Sequence, residues 1–444
     1  MEFQDHEGRR DSLVGMINFL SSSIPEARSL IGNVNAGTIV DLSGLADAVA
    51  SGRSVAKDGD SWLMRSYDYL PAGPKGLREL LGTESFSFES PTLVPAATDL
   101  VVETQLDATF LPGFINRVCE AAGHPAKADE MLGQKLPNGG SVADLMAKTR
   151  LHVILGVDVS SWPQEPVAPS PVDYFLRISG GGELLAMLRP DLEKSFGPPA
   201  TIGSRKGWEL PMPALGMQTR GVLVFDDAGT VHLASRGDYL KFVDTAAMKL
   251  GAWKEYQAAT DHFPAKGNLL VYASPQAPVV TGWLIRQAAR SSPEKGAELL
   301  ALAAGQLQPR PLSLCIAHEK DGIASTAELP FALDTNLTTA LPLLSGTSVL
   351  FVGARAWKKG SDRAACIMNT RNIQQAVRSY QNMNDLKPGA PLPWNKIVGP
   401  DAFLDKRPTC LEGTYTFATS IPQAGKLACT CSNPDHAVSN HDDW

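Results

Sequence analysis

The chain has 444 residues, of which 43% are hydrophobic and 20% are charged, and its formal net charge is −7. One hydrophobic core stops growing at roughly 250–300 residues, so a chain of this length predicts two or three domains. The composition excludes a largely disordered chain, and the acidic balance excludes the basic surface that binds phosphate backbones. Nucleic acid is therefore not an expected partner.

The first apolar run, from Leu13 to Leu20, is interrupted by Gly15 and Asn18 and follows a cluster of acidic residues. It is too short to span a bilayer, and its flanks do not match a signal peptide. No other segment is apolar over enough length. We predict no transmembrane segment, and either a cytosolic chain or one whose targeting segment has been removed.

A short internal repeat follows. Pro95 to Glu103 aligns without a gap with Pro264 to Tyr272, and the same register places Phe114 on Trp283. Each copy predicts a turn, an apolar strand, a loop and an amphipathic helix, with a further apolar strand downstream. The repeat predicts a duplicated body of antiparallel sheet and helices.

A β-hairpin is predicted between the two copies. Gly221–Phe225 and Thr230–Ala234 are apolar strand segments that flank the sequence Asp226-Asp227-Ala228-Gly229. Aspartate and glycine are typical turn residues, so the two aspartates are first of all turn formers.

The Pro-rich stretch from Trp162 to Pro171 separates the two predicted halves. We therefore place the domains at residues 1–160, 161–355 and 356–444. The predicted fold class is α+β, with a duplicated body followed by a small C-terminal segment.

Helical periodicity over residues 363–383 predicts an amphipathic helix in that segment. One stripe of this helix carries Cys366, Ile373, Val377 and Tyr380. A short helical turn is predicted near Trp394, and Gly413–Ala418 and Lys426–Cys431 predict a small hairpin.

The six cysteines are unevenly placed. Cys119 and Cys315 stand alone in apolar surroundings and are predicted to be buried, inert thiols. The remaining four fall in the last segment and are Cys366, Cys410, Cys429 and Cys431. Four cysteines in a small module predict two disulfides formed in an oxidising compartment, with the pairing open.

The alternative for these cysteines is a metal site. Its ligands would be Cys410, Cys429, Cys431 and His436, a set that tetrahedral zinc accepts. The spacing of Cys429 and Cys431 is tighter than in the usual paired zinc knuckle, so we favour the disulfides, which imply export.

The last segment also resembles the globular head of type II secretion pseudopilins. The residues that carry this resemblance are Cys366–Ala376, Trp394, Ile397, Gly399, Pro408–Cys410, Gly413–Tyr415, Leu427–Cys429, Cys431 and His436. The resemblance implies a helix packed on a β-hairpin, a periplasmic or secreted location, and assembly rather than chemistry. The helix begins with Lys358-Lys359-Gly360 and is polar, so the resemblance covers the head alone. The region from Gly221 to Tyr272 weakly resembles exported bacterial proteins of unknown function, which again implies location.

No motif of a known catalytic class is present, so we expect no catalytic residue, cofactor or metal ion. We predict a non-catalytic exported interaction or structural protein, with a protein partner and an association with secretion or cell-envelope assembly. The alternative is a small-ligand-binding protein or an enzyme with a site between the two halves. The candidate residues of the enzyme alternative lie near strand ends and are Asp158, Asp226, Asp227 and His232.

Overall fold

A computed structural model of the chain forms two compact units, Met1–Leu343 and Leu344–Trp444, called here the body and the C-terminal module. The structure describes the chain except at residues 1, 6–9, 12, 16–17, 19–34, 45, 60, 122, 137–138, 160–171, 215–216, 292–308, 330–362, 364–365, 401, 411–412 and 439–444. Strands from both sides of residue 160 belong to one sheet. The domain boundary at residue 160 stays a prediction.

The described strands of the body form one 13-stranded antiparallel sheet in the order β1-β2-β3-β13-β12-β11-β4-β5-β6-β10-β9-β8-β7. Their bounds are β1 Glu2–Asp5, β2 Ala50–Asp58, β3 Ser61–Tyr69, β4 Leu100–Asp107, β5 Arg150–Asp158, β6 Asp173–Ser179, β7 Ala200–Ile202, β8 Arg205–Ala214, β9 Met217–Phe225, β10 Val231–Ala234, β11 Leu269–Ala273, β12 Leu312–Glu319 and β13 Gly322–Leu329. Mixed helices and a large antiparallel sheet confirm the α+β class.

The named α-helices of the body are α1 Ala36–Ser43, α2 Ser90–Leu93, α3 Leu111–Ala121, α4 Pro125–Gly133, α5 Val142–Met146, α6 Gly182–Phe196, α7 Gly237–Thr245, α8 Lys254–Thr260 and α9 Gln276–Ser291. Short 3-10 helices span Gly76–Leu81 and Leu250–Ala252. Among the described residues, no helix combines the length and apolar content needed to cross a membrane.

The centre of the sheet is the pairing of β4 with β11, the two strands of the sequence repeat. Leu100 lies opposite Ala273 and Thr104 lies opposite Leu269, so Val102 faces Val271 at the midpoint. The next strands along the chain follow in the same order on both sides of this pair. β12 lies next to β11 and is followed by β13, while β5 lies next to β4 and is followed by β6. The two repeat strands therefore meet about a local two-fold axis.

The main core of the body lies between this sheet and helices α7 and α8. It includes Val101 and Ile154 from the sheet and Tyr239 from α7, each nearly inaccessible to solvent. Tyr256 of α8 packs edge-on against Tyr272 of β11, with ring centroids 5.1 Å apart. Burial of these large side chains fixes the helices on one face of the central strands.

The predicted hairpin between the two copies is confirmed. β9 and β10 pair with Phe225 opposite Val231. The Asp226 carboxylate accepts backbone N–H groups from Ala228 and Thr230 at 3.0 and 2.9 Å, so its first role is to close the turn.

The C-terminal module consists of helix α10 (residues 366–383, with residue 363 also helical), helix α11 (Trp394–Ile397), strands β14 (Tyr415–Phe417) and β15 (Cys429–Cys431), and a 3-10 turn at Pro434–His436. β14 and β15 pair antiparallel, as the sequence predicts. Ile373 and Val377 of α10 are fully buried against this hairpin side of the module. The Arg407 guanidinium lies 4.0 Å from the centre of the Phe417 ring and covers the outside of the small core.

The imidazole of His318 makes the body sensitive to acid. His318 lies in β12 and is 6% exposed, and burial lowers its pKa from 6.5 to about 4. Below pH 6.5 the unfolded chain therefore takes up a proton that the folded chain refuses until the pH nears 4. We expect the free energy of unfolding to fall across this window, by up to about 3 kcal/mol from this residue alone.

Urea unfolding of the full chain at several pH values between 7 and 4 tests this expectation, with the His318→Gln variant beside the natural protein. The variant should lose part of the pH dependence. An unaltered pH dependence in His318→Gln would contradict the assignment.

A buried ion pair joins the 3-10 helix Gly76–Leu81 to β3. The Arg78 Nη2 atom lies 3.1 Å from Asp68 Oδ2, and the two side chains are 0% and 2% exposed. Ser51 donates a hydrogen bond of 2.7 Å to the other carboxylate oxygen of Asp68. Removing the carboxylate charge would leave the guanidinium buried without its counter-ion.

We expect Asp68→Asn to destabilise the body by about 3–5 kcal/mol. The control is Asp41→Asn, which removes an exposed partner of Arg10 and should leave the urea midpoint nearly unchanged. Equal urea midpoints for the two variants would show that the buried ion pair stabilises the body no more than the exposed one does.

Candidate metal centre

Four metal-ligating side chains converge at one point in the C-terminal module. They are Cys366, Cys410, Cys431 and His436, and their ligand atoms all lie within 4.8 Å of one another. Cys366 begins the described run of α10, Cys410 forms an isolated bridge with Gly413, Cys431 ends β15, and His436 ends the 3-10 turn. Residues far apart in sequence are thus brought together by the packing of the helix on the hairpin.

The three distances among Cys410, Cys431 and His436 are those expected at three corners of a tetrahedron. The Sγ atoms of Cys410 and Cys431 are 3.7 Å apart, and the Nδ1 atom of His436 lies 3.3 Å from the first and 4.0 Å from the second. Zinc–sulfur and zinc–nitrogen bonds of about 2.3 and 2.0 Å at tetrahedral angles place two sulfurs about 3.8 Å apart and a sulfur and a nitrogen about 3.5 Å apart. The three distances therefore fit ligands arranged around one zinc ion.

The centre is buried on two sides. Cys366 is 2% exposed and His436 is 1% exposed, whereas Cys410 and Cys431 are half-buried. Burial raises the pKa of the Cys366 thiol to about 12. A bound dication reverses this effect, because a thiol that coordinates a metal is deprotonated outright.

Two neighbours orient the ligands. The Tyr415 hydroxyl contacts the Cys366 sulfur at 3.1 Å and its carbonyl oxygen at 3.3 Å. Asn433 Nδ2 lies 3.5 Å from His436 Nε2, which leaves Nδ1 turned to the sulfurs. Outer contacts of this kind fix the ring orientation and donor atom of metal-binding histidines.

Cys429 lies outside this group. It is 2% exposed and belongs to the apolar core of the module with Ile373 and Val377. The metal set that the sequence suggested therefore differs at one position, with Cys366 in place of Cys429. Cys366 was missed because its helical stripe marks it as a core residue, and only the packing of α10 brings it to the hairpin.

All six cysteines are free thiols in the structure. The sulfurs of Cys410 and Cys431 are 3.7 Å apart, well beyond the bond length of about 2.05 Å in a disulfide. The two disulfides predicted among Cys366, Cys410, Cys429 and Cys431 stay a prediction.

The other candidate residues lie in the body. Asp226 and Asp227 occupy the turn between β9 and β10, and Asp158 ends β5. The structure brings Asp226 and His232 together, with 3.8 Å between the carboxylate and Nε2.

Comparisons of the chain with protein-family models, with curated proteins and with solved structures found no match. The pseudopilin resemblance of the last segment therefore stays a prediction.

Gly413 gives the centre a local test. A Cβ atom at this position would lie 2.8 Å from the Cys431 sulfur and 3.2 Å from the Asn433 backbone nitrogen. We expect Gly413→Ala to displace the sulfur and to lower metal affinity by about 10-fold to 100-fold, as loss of a supporting contact does elsewhere. Competition with a fluorescent zinc chelator measures this change.

Gly389→Ala is the matched control, because a Cβ at Gly389 meets no atom within 4 Å. Gly389 has a φ of 93°, so this control loses some stability while its zinc affinity stays the same. Equal zinc affinity in Gly413→Ala and the natural protein would contradict the arrangement of ligands.

Proposed function

We propose that the C-terminal module is a zinc-stabilised module in which Cys366, Cys410, Cys431 and His436 hold one Zn²⁺ ion. The observation that carries the proposal is the convergence of three sulfurs and one nitrogen, drawn from separate elements, within 4.8 Å of one another. Thiolate and imidazole ligands in a four-fold set favour zinc over the hard cations calcium and magnesium, which take oxygen ligands.

The role of the metal is structural in this proposal. Four protein ligands fill the tetrahedral shell, whereas a catalytic zinc ion keeps one position open for water or substrate. The ion would join α10 through Cys366, the end of β15 through Cys431 and the 3-10 turn through His436. A module with a core as small as that around Ile373 gains stability from such a cross-link.

We further propose that the body arose by duplication. The supporting observation is the register of β4 and β11, in which the equivalent residues Val102 and Val271 lie opposite each other. In this arrangement the hairpin β2–β3 extends β13, and the hairpin β9–β10 extends β6. The hairpin β2–β3 of residues 1–160 thus pairs with β13 of residues 161–355, which favours one continuous sheet over two separate halves.

For the whole chain we propose a non-catalytic interaction or structural role, with the zinc module as a rigid surface for a protein partner. Export and an association with secretion or envelope assembly remain proposals that rest on the pseudopilin resemblance and on oxidised cysteines. The zinc site requires three of the same cysteines to be reduced. Oxidised thiols would therefore favour export, and reduced thiols would favour the zinc site and a reducing compartment.

Zinc content of the full chain tests this proposal. Protein purified under reducing conditions should contain about one zinc ion per chain, because the four ligands form a complete structural site. Cys366→Ala should lose the metal, and Cys429→Ala, its matched control in the apolar core, should retain it. Elemental analysis measures the metal, and alkylation without reductant followed by intact mass counts the free thiols.

Retention of zinc by Cys366→Ala together with its loss in Cys429→Ala would replace our ligand set by the one that the sequence suggested. Absence of zinc with four cysteines protected from alkylation would overturn the zinc module and support the two predicted disulfides.

A further inference from the structure

The body contains a cavity of about 220 Å³ that nothing above assigns. It lies on the face of the sheet that α7 covers, and apolar side chains such as Phe175 and Leu240 form much of its wall. Four basic side chains also line it, namely Arg177 of β6, Arg205 of β8, His232 of β10 and Lys249. An apolar wall with a few polar groups is the usual make-up of a small-ligand site.

His232 contributes a buried polar atom with no hydrogen-bond partner. The residue is 8% exposed, and its Nε2 atom is buried and makes no hydrogen bond. The nearest carboxylate oxygen, Asp226 Oδ2, lies 3.8 Å from Nε2, beyond hydrogen-bond distance, while Asp226 Oδ1 accepts two backbone N–H groups of its own turn. A buried donor or acceptor without a partner is costly, so a ligand atom that bonds to Nε2 would recover free energy.

The charges around the cavity leave one cation without a carboxylate. Arg205 is paired with Asp244 at 2.7 Å, and Arg177 is paired with Glu89 at 2.8 Å. The Lys249 ammonium instead donates a hydrogen bond of 2.9 Å to the carbonyl oxygen of Val243. Among the described residues no carboxylate lies within ion-pair distance of Lys249, so this part of the cavity carries one excess positive charge.

The same environment keeps His232 neutral. Burial lowers its pKa to about 4, and the nearby Arg205 charge contributes in the same direction. At neutral pH the imidazole therefore carries one N–H and no charge, and it can donate a hydrogen bond without adding to the positive charge.

We propose that this cavity binds a small organic carboxylate, with Lys249 as the counter-ion, His232 Nε2 as a hydrogen-bond donor, and Phe175 and Leu240 against the apolar part of the ligand. A neutral ligand would leave Lys249 uncompensated. Inorganic phosphate would bring more negative charge than the one free cation balances and would leave the apolar wall unused. The cavity lies in the body and is independent of the zinc site.

Its lining draws on both predicted halves of the body, with Ile154 from residues 1–160 and His232 from residues 161–355. This placement gives a definite location and ligand class to the alternative function that the sequence left open.

Calorimetric titration of the full chain with butyrate tests the proposal. Butyramide, which has the same shape and no charge, and inorganic phosphate are the comparison probes. Butyrate should bind saturably and more tightly than either. Lys249→Gln should weaken it by about tenfold or more, the effect of losing a hydrogen bond to a charged group. Lys254→Gln, on the exposed start of α8, is the matched control and should bind as the natural protein does.

A second readout keeps the test independent of folding defects. The ¹⁵N resonance of His232 Nε2 should move on addition of butyrate to the natural protein and stay in place with butyramide. Four results would overturn the proposal: no binding of butyrate up to about 10 mM, far weaker than small-ligand sites usually achieve; equal binding of butyrate and butyramide; tighter binding of phosphate; or unchanged butyrate affinity in Lys249→Gln.

Discussion

Three sulfur atoms and one imidazole nitrogen meet within 4.8 Å in the C-terminal module, and they connect its helix, its hairpin and its 3-10 turn. Among the described residues, the elements that supply them share a small apolar core built on Ile373 and Val377. Thiols gain little from mutual contact, but as thiolates around a dication they form strong bonds that bind the helix, the hairpin and the terminal turn together. One metal ion would thus supply stability that the size of the core does not.

The body obtains its stability in a different way. Its sheet is continuous through the antiparallel pairing of β4 with β11, and helices α7 and α8 cover the central strands with large buried side chains such as Tyr239. Apolar burial and strand pairing stabilise a sheet of this size. Polar groups that line the cavity, such as His232 and Lys249, do not contribute to apolar burial or strand pairing, so they point to ligand binding.

Local features of the fold could be predicted from the sequence. The β9–β10 hairpin was predicted from alternating apolar residues around the turn at Asp226, and α10 from its stripe of apolar positions, because both signals lie within a few residues. The sheet order could not be predicted, since β3 pairs with β13 and joins residues as distant as Ser66 and Ser325. For the same reason the alternative metal set named Cys429, which tertiary packing places in the apolar core, and omitted Cys366, which packing brings to the cluster.

X-ray absorption at the zinc edge of the metal-loaded full chain tests the central claim most directly, because it reads the ligand atoms themselves. Our account predicts a tetrahedral shell of three sulfurs at about 2.3 Å and one nitrogen at about 2.0 Å. Loss of one sulfur from that shell in Cys366→Ala, with no change in Cys429→Ala, would agree with the assignment. A shell of oxygen and nitrogen atoms, or three sulfurs that persist in Cys366→Ala, would contradict it.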